Sequence, residues 1–263
     1  MEYLFIVIII SLLILILLFF TFTSLKRDFY MPDVYIPNIL FQTYKSYDLV
    51  PYKVKKNIQK YASGYDYIFY DDEQCEQFLK NYYPYDVNNA YKILKIKAHK
   101  ADLIRYCFLY IYGGVYIDIK TELMVPLKDI INKKYTYTCL GAFSGIYQGI
   151  LATKKNNPLF LELINHIVNT TRPSQNLRRN YTIYTDYFMK IIKDNIVKDK
   201  VVKPGLNIIR QGKYDNIYLF QEECAIGNGD CYDGKDRYGL CCYIYDNGKR
   251  IFKTRYSDFP WSN

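Results

Sequence analysis

The sequence contains few of the residues that build metal centres in proteins. Two of its 263 residues are histidines, His99 and His166, and its seven cysteines include no pair at C-x-x-C spacing. Structural zinc sites normally take ligands from such pairs, so the spacing gives no zinc signature. Four cysteines near the C-terminus would form disulfides in an oxidising compartment or stay reduced in the cytosol. They are Cys224, Cys231, Cys241 and Cys242.

A block of positive charge is also missing, although the formal net charge is +9. The lysines are spread along the chain, whereas nucleic-acid binding requires a basic patch combined with base-stacking aromatic residues. The chain has 31 tyrosines, but many of them fall at the spacing of core positions. We therefore predict no nucleic-acid partner. A mildly basic surface instead suits a small anionic ligand or a membrane face.

A long hydrophobic run lies at the N-terminus, where residues 4–22 are almost wholly apolar. As a helix rising ~1.5 Å per residue, this run matches the ~30 Å hydrocarbon layer of a membrane. A cleaved signal peptide would instead have a basic n-region, an apolar core of ~7–15 residues and a small-residue cleavage site. The sequence therefore predicts a membrane anchor over residues 1–25, a short linker over 26–35 and one domain over 36–263.

Hydrophobic periodicity predicts that helices and strands alternate in this domain, which favours an α/β fold. The predicted strands lie within residues 36–45, 65–70, 135–140 and 146–153, and the predicted helices cover 50–62, 73–81 and 157–169. A hairpin is predicted from residues 242–245 and 250–254, because an Asn-Gly pair between apolar runs is a strong turn signal. No internal repeat or low-complexity segment interrupts the domain.

The most informative stretch covers residues 98–122 and predicts a helix, a glycine stop and a strand. Gly113 and Gly114 end the helix, because glycine adopts the left-handed C-cap conformation without a Cβ penalty. From Val115 the apolar period becomes two, as in a strand. The residues that this alternation places on one strand face are Tyr116, Asp118, Lys120 and Glu122.

Three charged residues in this stretch form a candidate site. Asp102 and Arg105 are separated by three positions, so they share a helix face, and the chain then reverses to bring Asp118 nearby. A surface ion pair beside a solvated strand end is the alternative interpretation. The neighbouring residues are nearly all apolar or aromatic, which favours burial, and buried charges require partners or ligands. A binding or catalytic site is therefore the better hypothesis.

The runs Ala101-Asp-x-x-Arg-Tyr106 and Gly113-Gly-x-Tyr-x-Asp118 resemble the DXD-containing sugar-transferase family 32 of the glycosyltransferases. That family includes initiating mannosyltransferases, sphingolipid mannosyltransferases and capsular-sugar transferases. The resemblance implies a GT-A-like α/β fold with a mixed, mainly parallel central sheet flanked by helices. It also implies retaining transfer of a hexose from a UDP- or GDP-linked donor to a glycan, lipid or protein acceptor.

The resemblance assigns roles to particular residues. It implies that Asp102 and Arg105 bind the donor sugar, that Tyr116 packs beside the donor, and that Asp118 is the first DXD carboxylate. The motif departs from the family at Lys120, where the second aspartate is expected, and a protonated lysine cannot ligate a metal. A Mn²⁺ or Mg²⁺ cofactor is therefore in question.

Three interpretations of this departure are open. Lys120 could itself neutralise the donor diphosphate, as a metal ion does. Glu122, on the same predicted strand face, could bind a metal together with Asp118. The chain could also bind a nucleotide-sugar without turnover.

The resemblance extends to the end of the first predicted strand. Open α/β sheets bind ligands beyond the carboxyl ends of their strands, and the resemblance implies that Gln42 and Thr43 lie near the nucleotide base. Phe41 either contacts the base or belongs to the core. Asp71 follows the second predicted strand, where it either caps the next helix or lies near the nucleotide. Trp261 either closes the donor site or covers an edge of the core.

The position of the domain relative to the membrane is not determined by the sequence. Lys26 and Arg27 follow the predicted anchor, which favours a cytosolic domain. The family resemblance favours a Golgi- or ER-like lumen, and the sequons at Asn169 and Asn180 are compatible with it.

A membrane-anchored interaction protein without enzymatic activity is a further alternative for the function. It predicts that the chain has no nucleotide affinity and that it tolerates Asp118→Ala.

Overall fold

The computed structural model describes residues 35–131, 134–142, 145–171, 182–197, 201–210, 212, 214–226 and 240–254. The predicted anchor, the sequon at Asn180 and the candidate residue Trp261 lie outside these ranges. Within them, no helix combines the length and the hydropathy needed to cross a bilayer.

The described elements are ten strands and seven α-helices. The strands are β1 (Ile39–Thr43), β2 (Asp66–Tyr70), β3 (Gly114–Ile117), β4 (Glu122–Leu123), β5 (Thr136–Leu140), β6 (Ile146–Thr153), β7 (Gly205–Asn207), β8 (Ile217–Ile226), β9 (Leu240–Asp246) and β10 (Lys249–Lys253). The helices are α1 (Tyr52–Tyr61), α2 (Asp72–Tyr82), α3 (Tyr85–Ile93), α4 (Lys97–Tyr112), α5 (Leu127–Ile130), α6 (Pro158–Thr170) and α7 (Ile183–Asn195). The fold is therefore mixed α/β, as predicted.

All ten strands join one sheet in the order β2-β1-β3-β6-β5-β8-β9-β10-β4, with β7 beside β8. The β1–β2, β1–β3 and β5–β8 pairs are parallel, and the other six of the nine pairs are antiparallel. The expectation of a mainly parallel sheet is therefore wrong. Short connections such as the Asn247-Gly248 turn between β9 and β10 can join only antiparallel neighbours, whereas parallel neighbours require a long crossover.

The sheet curls back towards its own middle. Only residues 118–121 separate β3 from β4, yet β4 lies at the far end of the strand order. Five residue steps span at most about 18 Å, so the last strands must curve round to bring β4 close to β3. The side chain of Asn57 in α1 then bonds β4, because its Nδ2 donates to the carbonyl of Leu123 (2.9 Å) and its Oδ1 accepts from the amide of Leu123 (3.0 Å).

The carboxyl ends of five strands share one edge of the sheet. β1, β2 and β3 are parallel to one another, and β6 is antiparallel to both β3 and β5. β5 therefore runs in the same direction as β3, and so does its parallel partner β8. Ligands of open α/β sheets bind at this edge.

Helices cover the two faces of the sheet unequally. On β1, Phe41 faces a large core with α2, α3, α4, α6 and α7, while Leu40 faces a smaller core with α1 and α5. The same alternation holds on β3, where Tyr116 faces the larger core and Val115 and Ile117 face the smaller one. This is the period of two that the sequence predicted for these residues.

Two glycines between α4 and β3 allow the helix to pack closely against the sheet. Gly113 has φ 68° and Gly114 has φ 98°. A Cβ atom at Gly113 would lie 2.6 Å from the amide nitrogen of Lys155, and one at Gly114 would lie 2.7 Å from the carbonyl oxygen of Ile39. Positive φ and close backbone neighbours thus both require glycine here. The predicted glycine stop is confirmed.

Candidate active site

The charged face of α4 is buried beneath the carboxyl edge of the sheet. Asp102 is 7% exposed and Arg105 is 5% exposed. Arg105 Nη2 lies 3.5 Å from Asp102 Oδ1. Its Nε donates to the carbonyl of Ala101 at 2.8 Å, and its Nη1 donates to the carbonyl of Gln148 in β6. Arg105 therefore links the helix to the sheet.

Asp118 completes this cluster from the end of β3. Its Oδ2 lies 4.0 Å from Arg105 Nη2, and its side chain is 31% exposed. The structure thus brings Asp102, Arg105 and Asp118 together, as the sequence analysis expected. The two acidic residues differ in exposure, since Asp102 is 7% exposed and the Asp118 side chain is 31% exposed.

Burial and neighbouring charge determine the electrostatics of the cluster. Burial raises the pKa of Asp102, and this effect outweighs the lowering by the Arg105 charge. For Arg105, burial acts to lower the pKa, but Tyr116, Asp102 and Asp118 together raise it above its ordinary value. The guanidinium carbon of Arg105 also lies 4.5 Å from the centre of the Tyr116 ring, which adds a cation–π contact. Arg105 is therefore a permanent cation beside two carboxyl groups.

Gln148 is held at the same place by an irregularity in β6. The pairing of β5 with β6 shifts register between Tyr137 and Cys139, and Gln148 lies in the β6 segment opposite this shift. Its Oε1 accepts a hydrogen bond from the Tyr106 hydroxyl. Its Nε2 is buried without a hydrogen-bond partner among the described residues. Bulges often redirect side chains next to sites. The sequence alone assigned no definite role to Gln148, although it lies in the segment where the resembled family carries an asparagine near the acceptor.

The turn after β3 differs from the sequence prediction. β3 ends at Ile117, and residues 118–121 form a turn in which Thr121 N donates to the Asp118 carbonyl at 2.8 Å. Asp118 Oδ1 accepts from the backbone amide of Lys120 at 2.9 Å. The strand alternation predicted from Asp118 to Glu122 is therefore wrong, because this turn interrupts it. Glu122 instead belongs to β4 and pairs with Lys253 of β10.

Tyr147, a residue of β6, contacts the turn formed by residues 118–121. Its hydroxyl lies 2.9 Å from Thr121 Oγ1, and a Cβ atom at Gly149 would lie 2.2 Å from the Tyr147 hydroxyl oxygen. The absence of a side chain at Gly149 therefore lets the Tyr147 ring lie across the strand. The amide of Asp118 also donates to the carbonyl of Gly149 at 2.8 Å. Both contacts position the Asp118 backbone.

The candidate residues at the end of β1 pack against or hydrogen-bond to other residues of the protein. Phe41 is fully buried and stacks on Phe108, with ring centres 3.9 Å apart, so it belongs to the core. Gln42 Nε2 donates to the carbonyl of Ile117 at 3.1 Å, and its Oε1 accepts from the Tyr67 hydroxyl. Thr43 Oγ1 lies 3.3 Å from the sulfur of Cys75. These contacts tie the end of β1 to its neighbours.

Asp71 is a helix cap in this structure. Its Oδ1 accepts from the amide of Gln74 at 2.8 Å, and the Gln74 side chain accepts from the amide of Asp71 at 3.0 Å. This reciprocal pair is a capping box at the start of α2. The capping alternative is therefore confirmed for Asp71.

The turn over residues 118–121 carries one acidic side chain, that of Asp118. Mg²⁺ at substrate phosphates is usually held by one or two carboxylates together with the phosphates. Here one Asp118 oxygen accepts from a backbone amide, and the position two residues on carries a lysine. Within the described ranges, the group of potential metal ligands is Glu222, Cys224 and Cys242, of which the two cysteines form a disulfide between β8 and β9.

The central part of the chain matches a protein-family model. Residues 49–137 match the family model described as "Glycosyltransferase sugar-binding region containing DXD motif". This segment includes α4, β3 and the turn that carries Asp118.

Several curated proteins are similar to the chain. An uncharacterized glycosyltransferase of Acanthamoeba polyphaga mimivirus is 28% identical over 235 residues, which cover 82% of this chain and 91% of that protein. A mannosyl phosphorylinositol ceramide synthase of Saccharomyces cerevisiae is 33% identical over 49% of this chain, and this match spans only 34% of the yeast protein. An initiation-specific alpha-1,6-mannosyltransferase of Candida albicans is 33% identical over 34% of this chain and 23% of its own length. Among solved structures, the PaToxG glycosyltransferase superposes with a TM-score of 0.44 and 14% identity, over 61% of this chain and 70% of that chain.

Proposed function

We propose that this chain transfers a hexose from a nucleotide-sugar to an acceptor, which the match of residues 49–137 to the family model of a glycosyltransferase sugar-binding region with a DXD motif supports. The observation that carries this proposal is the position of Arg105 between Asp102 and Asp118 at the carboxyl edge of the sheet. Glycosyl transfer requires exact positioning of a polyhydroxyl donor and stabilisation of negative charge on its leaving group.

The cluster offers the groups that such a donor needs. Asp102 can accept hydrogen bonds from sugar hydroxyls, and Arg105 can donate them. Their burial excludes water, which strengthens these bonds. Asp118 is the exposed member of the cluster and meets the donor at the sheet edge. The ring of Tyr116 adds a cation–π contact to the Arg105 guanidinium, whose central carbon lies 4.5 Å from the ring centre.

The names of the similar proteins suggest the class of sugar and acceptor. Two of them are named as mannosyl-transferring enzymes, one with a ceramide lipid in its name. We therefore propose mannose as the first donor sugar to test, linked to GDP or UDP. The acceptor is a glycan, a lipid or a protein, and the reaction retains the anomeric configuration. The membrane anchor over residues 1–25 is part of the same proposal.

A panel of UDP- and GDP-sugars tests the proposal on the full chain in detergent. Release of the nucleotide would be followed for each donor, with candidate acceptors added, and Asp118→Ala would be the control. We expect release from one donor that the control has lost. If neither nucleotide-sugar binding nor release is found for any donor, the proposal is wrong.

A second function, binding of a nucleotide-sugar without turnover, is favoured by one observation. Lys120 stands at the second acidic position of the DXD motif. Loss of that acid would be consistent with lost catalysis but retained donor binding. Donor binding without nucleotide release in the presence of every acceptor class would support this function over transfer.

A further inference from the structure

We infer that the surface formed between β1 and β2 docks on a membrane that carries anionic lipids. The inference rests on one part of the proposed function, the membrane anchor over residues 1–25. The surface is built by a short 3₁₀ helix (Tyr47–Leu49) and by α1. We call it the basic–aromatic face, and its residues are Tyr47, Leu49, Tyr52, Lys55, Lys56 and Lys60.

The apolar part of the basic–aromatic face is a cluster of exposed side chains. Tyr47 is 45% exposed, Leu49 is 57% exposed and Tyr52 is 75% exposed. Single apolar side chains are common on protein surfaces, whereas a group of them marks an interaction surface. Tyrosine is enriched where a membrane meets water, because it combines an apolar ring with a polar hydroxyl group.

Positive charge is concentrated in the same segment. Residues 44–65 contain five lysines and one acidic residue, Asp48, so five minus one gives a net charge of +4. The lysines are too widely spaced to form a block in the sequence, but the fold brings them to the exposed aromatic rings. Lys55 Nζ lies 4.1 Å from the centre of the Tyr47 ring, which joins α1 to the short helix.

The helical period places the charge and the exposed tyrosine of α1 on one side. Tyr52, Lys56 and Lys60 follow one another at intervals of four residues and are all exposed. Val54 and Ile58, on the opposite side of the helix, are buried in the domain. α1 therefore has one side in the core and a basic side, with a tyrosine at its start, that faces away from it.

The chemistry of this face fits an anionic lipid surface. Lysine ammonium groups attract anionic headgroups, and the alkyl part of each lysine can lie along apolar material. Tyr47, Leu49 and Tyr52 would enter the boundary between headgroups and acyl chains. A single-stranded nucleic acid would instead require stacking platforms for its bases, and Leu49 has no ring to offer one.

The basic–aromatic face lies beside the candidate active site. Ile119, in the turn that follows Asp118, packs in one small cluster with Val50 and Val54. In the proposed function the run over residues 4–22 spans a bilayer, and residues 23–34 extend at most about 45 Å. The domain would thus stay within reach of the membrane, and docking would hold the turn of Asp118 close to the lipid surface.

Fluorescence of the full chain in lipid nanodiscs tests the inference. Tyr52→Trp adds a reporter to the face, and the unmodified chain, whose single tryptophan is Trp261, gives the background. Nanodiscs would contain phosphatidylcholine alone or with phosphatidylserine, each with and without brominated acyl chains. We expect the added emission to shift to the blue and to be quenched by brominated lipid when phosphatidylserine is present, and to change little in phosphatidylcholine alone.

The chain offers a matched control for the reporter. Tyr85 is 81% exposed and, like Tyr52, is the first residue of its helix and follows a proline, but an aspartate comes next. The added emission of Tyr85→Trp should stay unquenched in both kinds of nanodisc. Equal quenching of the two reporters, or equal quenching of Tyr52→Trp with and without phosphatidylserine, would overturn the inference.

Charge variants test the lysines in the Tyr52→Trp protein. Lys55→Ala and Lys56→Ala should each lower the docking equilibrium about fivefold, the usual effect of one basic residue near an anionic surface. Lys92→Ala with Lys95→Ala removes two exposed lysines elsewhere and should leave the quenching unchanged. Unchanged quenching after loss of both Lys55 and Lys56 would contradict the role of the basic side.

Measurements on the same nanodiscs separate this inference from the proposed function. Nucleotide release from the donor panel reports transfer whether or not the face docks, so release without reporter quenching would overturn docking alone. If the full chain does not remain with the nanodiscs during size-exclusion chromatography, the membrane anchor and the docking are both overturned.

Discussion

Arg105 is the residue on which the electrostatics of the site depend. It is the buried cation that faces both carboxylates, and it also bonds two backbone carbonyls from different elements. Breaking a buried ion pair leaves an uncompensated charge, which is far more costly than the pair itself is stabilising. Arg105 therefore affects the stability of the fold as well as the proposed binding of the donor.

Replacing Arg105 should show both effects. We expect Arg105→Ala to lower the free energy of unfolding by about 3–5 kcal/mol, because Asp102 would stay buried without its partner. Arg105→Lys should lose less stability but most of the activity, since an ammonium cannot reproduce the guanidinium contacts. Urea unfolding and nucleotide release would be measured on the same samples. A loss of activity with unchanged stability would contradict the buried-pair account.

His166 gives the fold a dependence on pH that is separate from the site. Its ring stacks on Tyr187 with centres 3.5 Å apart, and burial lowers its pKa below the ordinary value of 6.5. The folded state thus disfavours the protonated ring. The stabilising contribution is present above the unfolded pKa and is lost as the pH falls through the lower folded pKa.

Replacement by an aromatic residue that cannot titrate isolates this contribution. His166→Phe keeps a flat ring against Tyr187 but takes up no proton. We expect the unmodified chain to lose stability relative to His166→Phe as the pH falls below about 6.5. Unfolding curves at several pH values would check this. Parallel pH profiles for the two proteins would show that His166 makes no contribution.

At the scale of elements, the junction between α4 and β3 shows how local sequence fixes the site. The helix ends at Tyr112, the two glycines turn the chain, and Asp118 follows one short strand later. Any change in the length or path of this junction would move Asp118 away from Arg105. Gly113 and Gly114 therefore influence the candidate site only by determining where Asp118 lies relative to Arg105.

A pair of glycine variants separates backbone strain from steric overlap. Gly64 and Gly114 both have positive φ, but a Cβ atom meets nothing within 4 Å at Gly64 and meets the Ile39 carbonyl at 2.7 Å at Gly114. We expect Gly64→Ala to cost about 1–2 kcal/mol from the left-handed conformation alone. Gly114→Ala should cost about 3 kcal/mol or more, because overpacking adds to it. Equal losses in urea unfolding would refute the overlap at Gly114.

The elements that could be predicted from sequence are those with local signals. The helix before Gly113 and the hairpin at Asn247-Gly248 are predictable because hydrophobic periodicity and turn preference depend only on residues close in sequence. Residues 118–121 were mistaken for strand because their alternation matches one. Their turn depends on the pairing of β4 with β10, some 130 positions away in the chain. The displacement of Gln148 likewise depends on the register of β5 against β6.

At the scale of the molecule, a covalent bond joins two long strands of the sheet. Cys224 in β8 and Cys242 in β9 form a disulfide with Cα atoms 4.0 Å apart. The sequence could identify the cysteine cluster but not the connectivity, because four cysteines allow three pairings. Strand register supplies the missing information, since Cys224 lies directly opposite Cys242.

Reduction should measurably destabilise the domain. The bond closes a loop with a sequence separation of 18 residues, for which chain entropy alone predicts about 3 kcal/mol. We expect reductant to lower the Tm by roughly 10 °C. A Cys224→Ala, Cys242→Ala double variant should melt at the lower temperature with or without reductant. If reductant still lowers its Tm, the stabilising bond lies elsewhere.

The two-sided bonding of Leu123 has a consequence for association between copies of the chain. Sheet edges expose unpaired amides and carbonyls on which another molecule can add a strand, a common route to aggregation. β4 is short, pairs with β10 on one side, and has the amide and carbonyl of Leu123 bonded by the Asn57 side chain. In the described part of the chain, β2 is the outer strand at the other end of the order. Self-association by strand addition would therefore begin at β2 or at β7, which pairs with β8 alone, while the end of the sheet nearest the turn is protected by a single asparagine.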